Sequence, residues 1–208
     1  MKLVNVLEAY PSSWSMDRFL SLKNATERHV YAGVHLKKIG QGSSRIVYQI
    51  DDDKILKIAR QAGDYNKGTA QNELEVDIND LYPHVTTKVF DYDEEHYRWV
   101  EHELVTPLKS EKEFENIIGV EWDDFTGFIE NESRREVNKS ANNDVDEATM
   151  WDNEFVRSII TLIKDYDAVK YYIDYIRLNH YGVTKDGRVV LLDYGINESV
   201  FKDFYLNK

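Results

Sequence analysis

Three β-prone segments follow one another early in the chain with only short turns between them. They span residues 34–39, 46–50 and 55–59; the first turn carries two glycines and the second carries three aspartates. Turns of this length join antiparallel neighbours, because a parallel connection needs a crossover of a dozen or more residues. The segments therefore predict an antiparallel sheet as the base of the fold.

One helix and two more strands continue this first half. Residues 68–81 carry leucine and isoleucine at helical spacing, and Pro83 lies just past their end. Further strands are predicted at residues 86–92 and 96–103. The pattern is that of an α+β chain with five antiparallel strands and one helix inserted after the third strand.

The rest of the chain is predicted to be mainly helical. Helices are expected at residues 110–118, 122–129 and 152–166, whereas the polar residues 131–149 are predicted to form an exposed loop or a mobile insertion. A short helical extension over residues 1–30 precedes the sheet, and Ser15 provides its N-cap.

A hairpin is predicted near the C-terminus. Asp186 and Gly187 separate two β-prone runs, and the second run leads directly into Asp193, Tyr194 and Gly195. A carboxylate at the end of a buried strand can hold a divalent metal at the mouth of a cleft.

Composition limits the classes of partner. The net charge of −12 argues against unaided binding to DNA or RNA, which requires clustered lysine and arginine. The chain has no cysteine, so disulfides and thiolate metal sites are excluded. Its six histidines have no metal-ligand spacing. No apolar run reaches the length of a membrane span, and a cytoplasmic protein without membrane contact is expected.

Lys57 lies inside the apolar third segment, where a lysine is costly unless it is exposed or has an anionic partner. Strand alternation puts Leu56 and Ile58 on one face and Lys57 on the other, where its amine can point into a cleft. The alternative is a solvent-facing lysine, and Lys54 is assigned that role. Glu75, on the predicted helix, is the carboxylate expected to pair with Lys57.

These residues, taken in order, resemble the protein-kinase-like superfamily. Gly40, Gly42 and Val47 fall at positions of its glycine-rich loop, with Arg45 in place of the third glycine. The Asp-Tyr-Gly sequence at Asp193 resembles the metal-binding Asp-Phe-Gly. The resemblance implies that ATP is bound by Gly40, Gln41, Gly42, Ser43, Ser44, Val47, Lys57, Glu101 and Glu103.

The resemblance also implies a two-lobed organisation. The helical extension over residues 1–30 would be followed by an N-lobe over residues 31–105, with the five-stranded sheet and its helix. Residues 106–208 would form a reduced helical C-lobe that contains the catalytic loop and the metal-binding hairpin.

The catalytic loop can be aligned in two registers. Asp174 and Asn179 have the family spacing of an aspartate, four residues and an asparagine. In this register Asp174 is catalytic together with Lys57 and Glu75, while Asn179 and Asp193 bind Mg²⁺.

Counting back from Asp193 without a gap gives the second register, which places Tyr175 and His180 at these positions, as in a pseudokinase. The first register needs one extra residue, which a bulge at residues 181–182 would absorb. We favour the first register.

The function implied by the resemblance is an ATP- and Mg²⁺-dependent phosphotransferase acting on Ser or Thr of a protein. Only thirteen residues follow Gly195, so the later segments that dock peptide substrates are not evident, as in compact bacteriophage-type kinases. Three alternatives stay open: a small-molecule kinase of the aminoglycoside type, a pseudokinase that binds a host protein, and an acidic mimic of nucleic acid. The sequence leaves the oligomeric state undetermined.

Overall fold

The computed structural model describes residues 10–137, 139–140 and 143–206. Contacts divide the chain into two compact units, one over residues 1–72 and 89–104 and the other over residues 73–88 and 105–208. The first nine residues of the predicted extension lie outside the described part, as do positions 138, 141 and 142 of the predicted polar loop.

The first unit is built on a five-stranded antiparallel sheet. Its strands are β1 (Lys37–Gln41), β2 (Arg45–Gln49), β3 (Lys54–Ala59), β4 (Val89–Tyr92) and β5 (Trp99–Glu103). They lie in the order β1-β2-β3-β5-β4, and the helix α3 (Lys67–Leu81) follows β3 in the chain. The predicted α+β fold, with five antiparallel strands and one helix after the third, is confirmed.

The boundary before β1 was predicted wrongly. Residues 34 and 35 belong to the helix α2 (Ala25–His35) and not to a strand. Asn24 starts this helix by accepting a hydrogen bond from the backbone N–H of Glu27. Val34 is 73% exposed, so its apolar side chain does not mark a buried strand position.

The pairing of the strands places different residues on the two faces of the sheet. Leu56 in β3 lies opposite Tyr48 on β2 and Glu101 on β5. Two residues further along β3, Ile58 lies opposite Trp99 of β5. These residues share one face because side chains two apart in a strand point the same way. The other face carries the row Gly40, Val47, Lys57 and Val100.

The extension covers the first of these faces. It includes the short helix α1 (Met16–Leu20), which Ser15 caps through the N–H of Arg18, as predicted. Trp14 stacks on Tyr10 with ring centroids 4.9 Å apart and lies 5.0 Å from Phe19. Phe19 is fully buried and meets Trp99 of β5 edge to face at 6.2 Å. The extension and the sheet therefore share one hydrophobic core.

The second unit is mainly helical. Its helices are α4 (Glu111–Ile118), α5 (Trp122–Glu136), α6 (Glu147–Asp152), α7 (Glu154–Asp165) and α8 (Glu198–Phe204), with 3₁₀ turns at Val169–Ile176 and Leu178–His180. The helices predicted at residues 110–118 and 152–166 are confirmed. Ser110 caps α4 and Gly119 ends it at a φ of 84°, a left-handed position that favours glycine.

The prediction that residues 131–149 form a loop is wrong for residues 131–136 and 147–149, which are helical. Helix α5 continues to Glu136, and α6 begins at Glu147. The second half of α5, residues 130–136, has no apolar residue and is supported by paired charges. Glu132, which is 6% exposed, accepts hydrogen bonds from Arg135 and from Lys164 at 2.6 and 2.9 Å. Arg135 also pairs with Glu147 of α6. Sequence polarity alone does not reveal these partners.

A three-stranded sheet of β6 (Thr106–Pro107), β7 (Tyr181–Val183) and β8 (Val189–Leu191) lies in this unit. The hairpin predicted around Gly187 is confirmed, and Gly187 has a φ of 88°. Gly182 allows close approach of β6, because a Cβ there would lie 2.9 Å from the Thr106 carbonyl oxygen. Among the described residues, no helix combines the length and apolar character needed to cross a membrane.

Candidate functional site

Lys57 is a buried cation in strand β3 of the first unit. It is only 5% exposed and lies between Val47 and Val100 on the face of the sheet that the extension does not cover. The predicted alternation, with Leu56 and Ile58 on the opposite face, is confirmed. The solvent-facing alternative is therefore wrong for Lys57, and the cost of burying its amine favours an anionic ligand or partner.

The glycine turn between β1 and β2 is closed by one hydrogen bond, from the N–H of Gly42 to the carbonyl of Arg45 at 2.9 Å. The next two N–H groups, of Ser43 and Ser44, have no acceptor within the described part of the chain. A Cβ on Gly42 would have its nearest neighbour 3.9 Å away, so the space beside the turn is open. Successive unpaired N–H groups of this kind bind anions.

The first turn of α3 holds this glycine turn in place. Lys67 Nζ donates to Ser43 Oγ at 2.8 Å, and Ser44 Oγ donates to Gln71 Oε1. Gly68 allows the contact: a Cβ there would lie 2.6 Å from the Ser44 carbonyl oxygen. Lys67 and Gln71 were missed by sequence reasoning. The Gly68 position at the start of the helix was the available signal, and it becomes meaningful only when β2 is placed beside it.

Arg45 occupies the position of the third glycine in the kinase pattern. Its side chain is 6% exposed, and its Nη1 donates to Asn72 Oδ1 at 3.3 Å. The Asn72 amide in turn donates to the Tyr97 carbonyl at 2.7 Å. Arg45 is thus held by α3, on the same sheet face as Lys57.

Glu101 does not take the position expected for a nucleotide contact. It lies inside β5, opposite Leu56 on one side and Asp91 on the other, so its backbone is within the sheet. Its carboxylate points to the extension, where it accepts from Tyr10 Oη at 2.5 Å and lies 3.7 Å from Lys54 Nζ. Lys54 is therefore an ion-pair partner, contrary to its predicted role.

Burial raises the pKa of Glu101, and the hydrogen bond from Tyr10 and the charge of Lys54 oppose this rise. Glu103 lies at the end of the same strand, where the N–H of the following residue, Leu104, donates to Asp53 O at 2.7 Å. Glu103 thus remains the candidate for the segment that would contact adenine. Gln41 is exposed in the glycine turn and accepts a hydrogen bond from Lys38.

The second unit holds the predicted catalytic loop. Asp174 is half-buried, with its carboxylate 3.3 Å from Arg177 Nη1, and its carbonyl accepts from His180 Nδ1 at 2.7 Å. Asn179 is exposed in the 3₁₀ turn. Tyr175 is buried, and its hydroxyl lies 3.4 Å from the Tyr194 carbonyl oxygen.

The bulge predicted at residues 181–182 is absent. Tyr181 pairs with Leu191, Gly182 with Val190 and Val183 with Val189, without a shift in register. The N–H of Leu192 donates to the His180 carbonyl at 2.8 Å and extends the pairing by one residue. The extra residue that the Asp174 register needs is therefore not a bulge in this ladder, and the choice of register stays a prediction.

Asp193 follows β8 and is exposed, whereas Tyr194 is fully buried and donates to the Thr87 carbonyl at 3.3 Å. The pKa of Tyr175 is raised by burial and then by the charges of Asp174, Asp193 and Glu75. The charges of all three carboxylates therefore act on this one phenol. Glu75 is fully buried on α3; its pairing with Lys57 stays a prediction.

The two predicted metal ligands, Asp193 and Asn179, carry donors suited to magnesium. A carboxylate oxygen and an amide oxygen are hard ligands, and both residues are exposed, so a bound ion could keep several waters. In the described ranges, however, no three His, Cys, Asp or Glu side chains form a metal-ligand group. A metal here would thus depend on water, or on ligand oxygens, for most of its coordination.

The five-stranded sheet has a buried lysine in β3 beside a glycine turn, and the helical unit carries the hairpin that leads into Asp193, Tyr194 and Gly195. These are the features that the resemblance of the sequence to protein kinases implies. No protein-family model matches the sequence, and no curated protein matches it.

The solved structures that resemble the chain include two SAICAR synthases and a choline kinase. A SAICAR synthase from Saccharomyces cerevisiae complexed with SAICAR has 11% identity and a TM-score of 0.35, over 75% of this chain and 72% of that one. A second SAICAR synthase has 13% identity and a TM-score of 0.34, over 76% and 72%. A choline kinase from Streptococcus pneumoniae has 11% identity and a TM-score of 0.33, over 82% and 68%. Likenesses at this level do not identify a substrate.

Proposed function

We propose that the chain is an ATP- and Mg²⁺-dependent phosphotransferase. The observation that carries the proposal is the burial of Lys57, 5% exposed, in one row with Gly40 and Val47 on a single face of the sheet. A desolvated amine in this position gains most from the charge of a phosphate group. The N–H groups of Ser43 and Ser44 supply further donors for phosphate oxygens.

The roles are divided between the two units. In the first, Lys57 and the turn from Gly40 to Ser44 would hold phosphates, Val47 would contact the base, and the backbone near Glu103 would bind its edge. In the second, Asp193 and Asn179 would hold Mg²⁺, which neutralises phosphate charge when bound. Asp174 would orient the acceptor hydroxyl, and Glu75 is proposed as the buried acid of the site.

The proposed acceptor is Ser or Thr of a protein, and a small alcohol is the alternative within the same reaction class. The test is transfer of radiolabelled γ-phosphate to the protein itself, to lysate proteins and to a panel of small alcohols. Lys57→Met and Asp193→Asn should each reduce transfer by about 100-fold or more, because each removes charge stabilisation of the transferred group.

Matched variants control for general effects of the substitutions. Lys54→Met changes a lysine of the same strand on the opposite face, and Asp186→Asn removes a carboxylate at the exposed hairpin tip. Both should retain transfer. Transfer that survives Lys57→Met and Asp193→Asn would overturn the proposal.

A nucleotide-binding pseudokinase is the second candidate, favoured by the regular β7–β8 hairpin. That hairpin supports the gap-free register, in which buried Tyr175 and His180 replace the catalytic aspartate and asparagine. The pseudokinase predicts no label transfer together with a rise in melting temperature on adding ATP, because a ligand that binds only the native state stabilises it. An active enzyme predicts label transfer as well as the rise in melting temperature.

A further inference from the structure

A cavity of about 300 Å³ lies in the second unit, between the end of α5 and the 3₁₀ turn Val169–Ile176. Three of its lining side chains are cations, two carry hydroxyls and two are valines. They are Arg134, Lys139, Lys170, Ser133, Tyr172, Val137 and Val169. None of the described residues that line the cavity carries a carboxylate.

This charge contrasts with that of its surroundings. The second unit contains 14 lysines and arginines against 25 aspartates and glutamates, a net charge of −11 out of −12 for the whole chain. Two of these three cations have a carboxylate partner outside the lining, so among the described residues one positive charge is left to attract a bound anion. This positive charge, in so acidic a unit, is the first indication of an anionic ligand.

Two of the cations are oriented by carboxylates that do not line the cavity. Arg134 Nε lies 3.0 Å from Glu130 Oε1, and Lys170 Nζ lies 3.0 Å from Glu198 Oε2. Lys139 is fixed at its backbone, where its N–H donates to the Arg134 carbonyl at 2.8 Å. The cavity is thus preorganised for a negative ligand, which lowers the entropic cost of binding.

A buried hydroxyl gives an independent indication. Ser133 is 2% exposed, and its Oγ has no hydrogen-bond partner among residues 10–137, 139–140 and 143–206. A buried hydroxyl without a partner is costly, and bound ligands or waters commonly satisfy such groups. It belongs to the same turn of α5 as Arg134.

We propose that this cavity binds a phosphate dianion, either as inorganic phosphate or as a small phosphomonoester. Arg134, Lys139 and Lys170 would neutralise the phosphate, because charge-assisted hydrogen bonds from these groups are the strongest available to it. Val137 and Val169 provide an apolar wall for the organic part of a monoester. The site is separate from the residues assigned to phosphate transfer and does not depend on that assignment.

The test measures the dissociation constants of inorganic phosphate and phenyl phosphate for the full chain by calorimetry, at constant ionic strength maintained with chloride. Replacing Lys139 and Lys170 together by glutamine should weaken phosphate binding by about tenfold or more. Tighter binding of phenyl phosphate than of phosphate would assign the cavity to a monoester, and equal binding would assign it to the inorganic ion.

The chain offers closely matched controls. Lys202 pairs with the same carboxylate as Lys170, at 2.7 Å from Glu198 Oε1, and Arg135 adjoins Arg134, but neither lines the cavity. The double variant Lys202→Gln and Arg135→Gln removes two charges and should leave binding unchanged. Binding should also persist in Lys57→Met, which separates this cavity from the proposed nucleotide site.

Two outcomes would overturn the proposal. One is phosphate binding weakened equally by the cavity variant and the control variant, which would indicate general charge screening. The other is the absence of saturable heat from either phosphate compound. The four side chains that the two double variants replace are all exposed, so both variant proteins should fold. Their melting temperatures verify this.

Discussion

Glu101 is a carboxylate enclosed by the extension, with Tyr10 and Lys54 as its partners. Its pKa is raised mainly by burial, so the folded chain retains this proton to a higher pH than the unfolded chain does. The contribution of Glu101 to the free energy of unfolding therefore falls as pH rises from the usual glutamate pKa toward neutrality.

Glu101→Gln should accordingly raise the free energy of unfolding at neutral pH, because the neutral amide avoids the cost of burying charge. The difference from the unmodified chain should be smallest below about pH 3, where Glu101 is protonated in both the folded and the unfolded state. Urea denaturation across this pH range is the measurement.

Tyr10→Phe provides the opposite change. It removes the hydrogen-bond donor from a buried carboxylate and should lower the free energy of unfolding at neutral pH by about 1–3 kcal/mol. A Glu101→Gln chain that is destabilised at neutral pH would show that the ion pair with Lys54 outweighs the burial cost.

At the scale of single residues, the sequence predicted which face of a strand a side chain lies on, because that depends only on alternation within the strand. The placement of Lys57 opposite Leu56 and Ile58 follows from the two-residue period and is confirmed. The contacts of Lys67 and Gln71 with the glycine turn could not be predicted, because they join residues 24 and 27 positions apart and depend on how α3 leaves β3.

At the scale of elements, the junction between α3 and the glycine turn depends on Gly68. A Cβ there would lie 2.8 Å from the Ala59 Cβ and still closer to the Ser44 backbone. Gly68→Ala should lower the free energy of unfolding by about 1–3 kcal/mol, because backbone must shift to accept the methyl group.

Gly33→Ala is the matched control for this prediction. Gly33 lies in α2, and a Cβ there would meet nothing within 4 Å. The same substitution should then stabilise the chain by about 0.5–1 kcal/mol, since alanine loses less conformational entropy than glycine in a helix. Equal effects of the two variants in chemical denaturation would contradict the close contact at Gly68.

The type of an element, helix or strand, could be predicted where its apolar residues follow a single period. The residues at which helices and strands begin and end could not. Strand β3, apart from its ends, and the long helix α7 (Glu154–Asp165) show clear periodicity. The error at residues 34–39 arose because a short apolar and polar alternation fits either a helix end or a strand start. The error in α5 arose because ion pairs, rather than an apolar stripe, support its second half.

At the scale of the molecule, the extension is an integral part of the first unit and not an appendage. Phe19 is fully buried between Trp14 and Trp99. Phe19→Ala should lower the free energy of unfolding by about 3–5 kcal/mol, through lost burial and a residual cavity.

The neighbouring Leu20 supplies the comparison, because it lies in the same short helix and is 51% exposed. Leu20→Ala should change the stability by less than about 0.5 kcal/mol. Similar losses in both variants, measured by urea denaturation, would mean that the short helix rather than the aromatic contact determines stability.

Composition predicted the acidic character of the whole chain but not its distribution. Nearly all of the net charge is in the second unit, and the basic cavity occurs there as well. This juxtaposition depends on bringing Arg134 and Lys170 together from different elements, which residue counts cannot reveal.

The bond between Arg45 and Asn72 has an evolutionary consequence. Asn72 is fully buried, and its amide oxygen accepts from Arg45 while its amide nitrogen is bound to the Tyr97 carbonyl. Replacing Arg45 by glycine would remove that donor from a buried oxygen, so the single change is costly. The two positions should therefore be inherited as a pair, with the change at residue 72 preceding or accompanying the change at residue 45. Divergent descendants of this chain would be expected to keep both or neither.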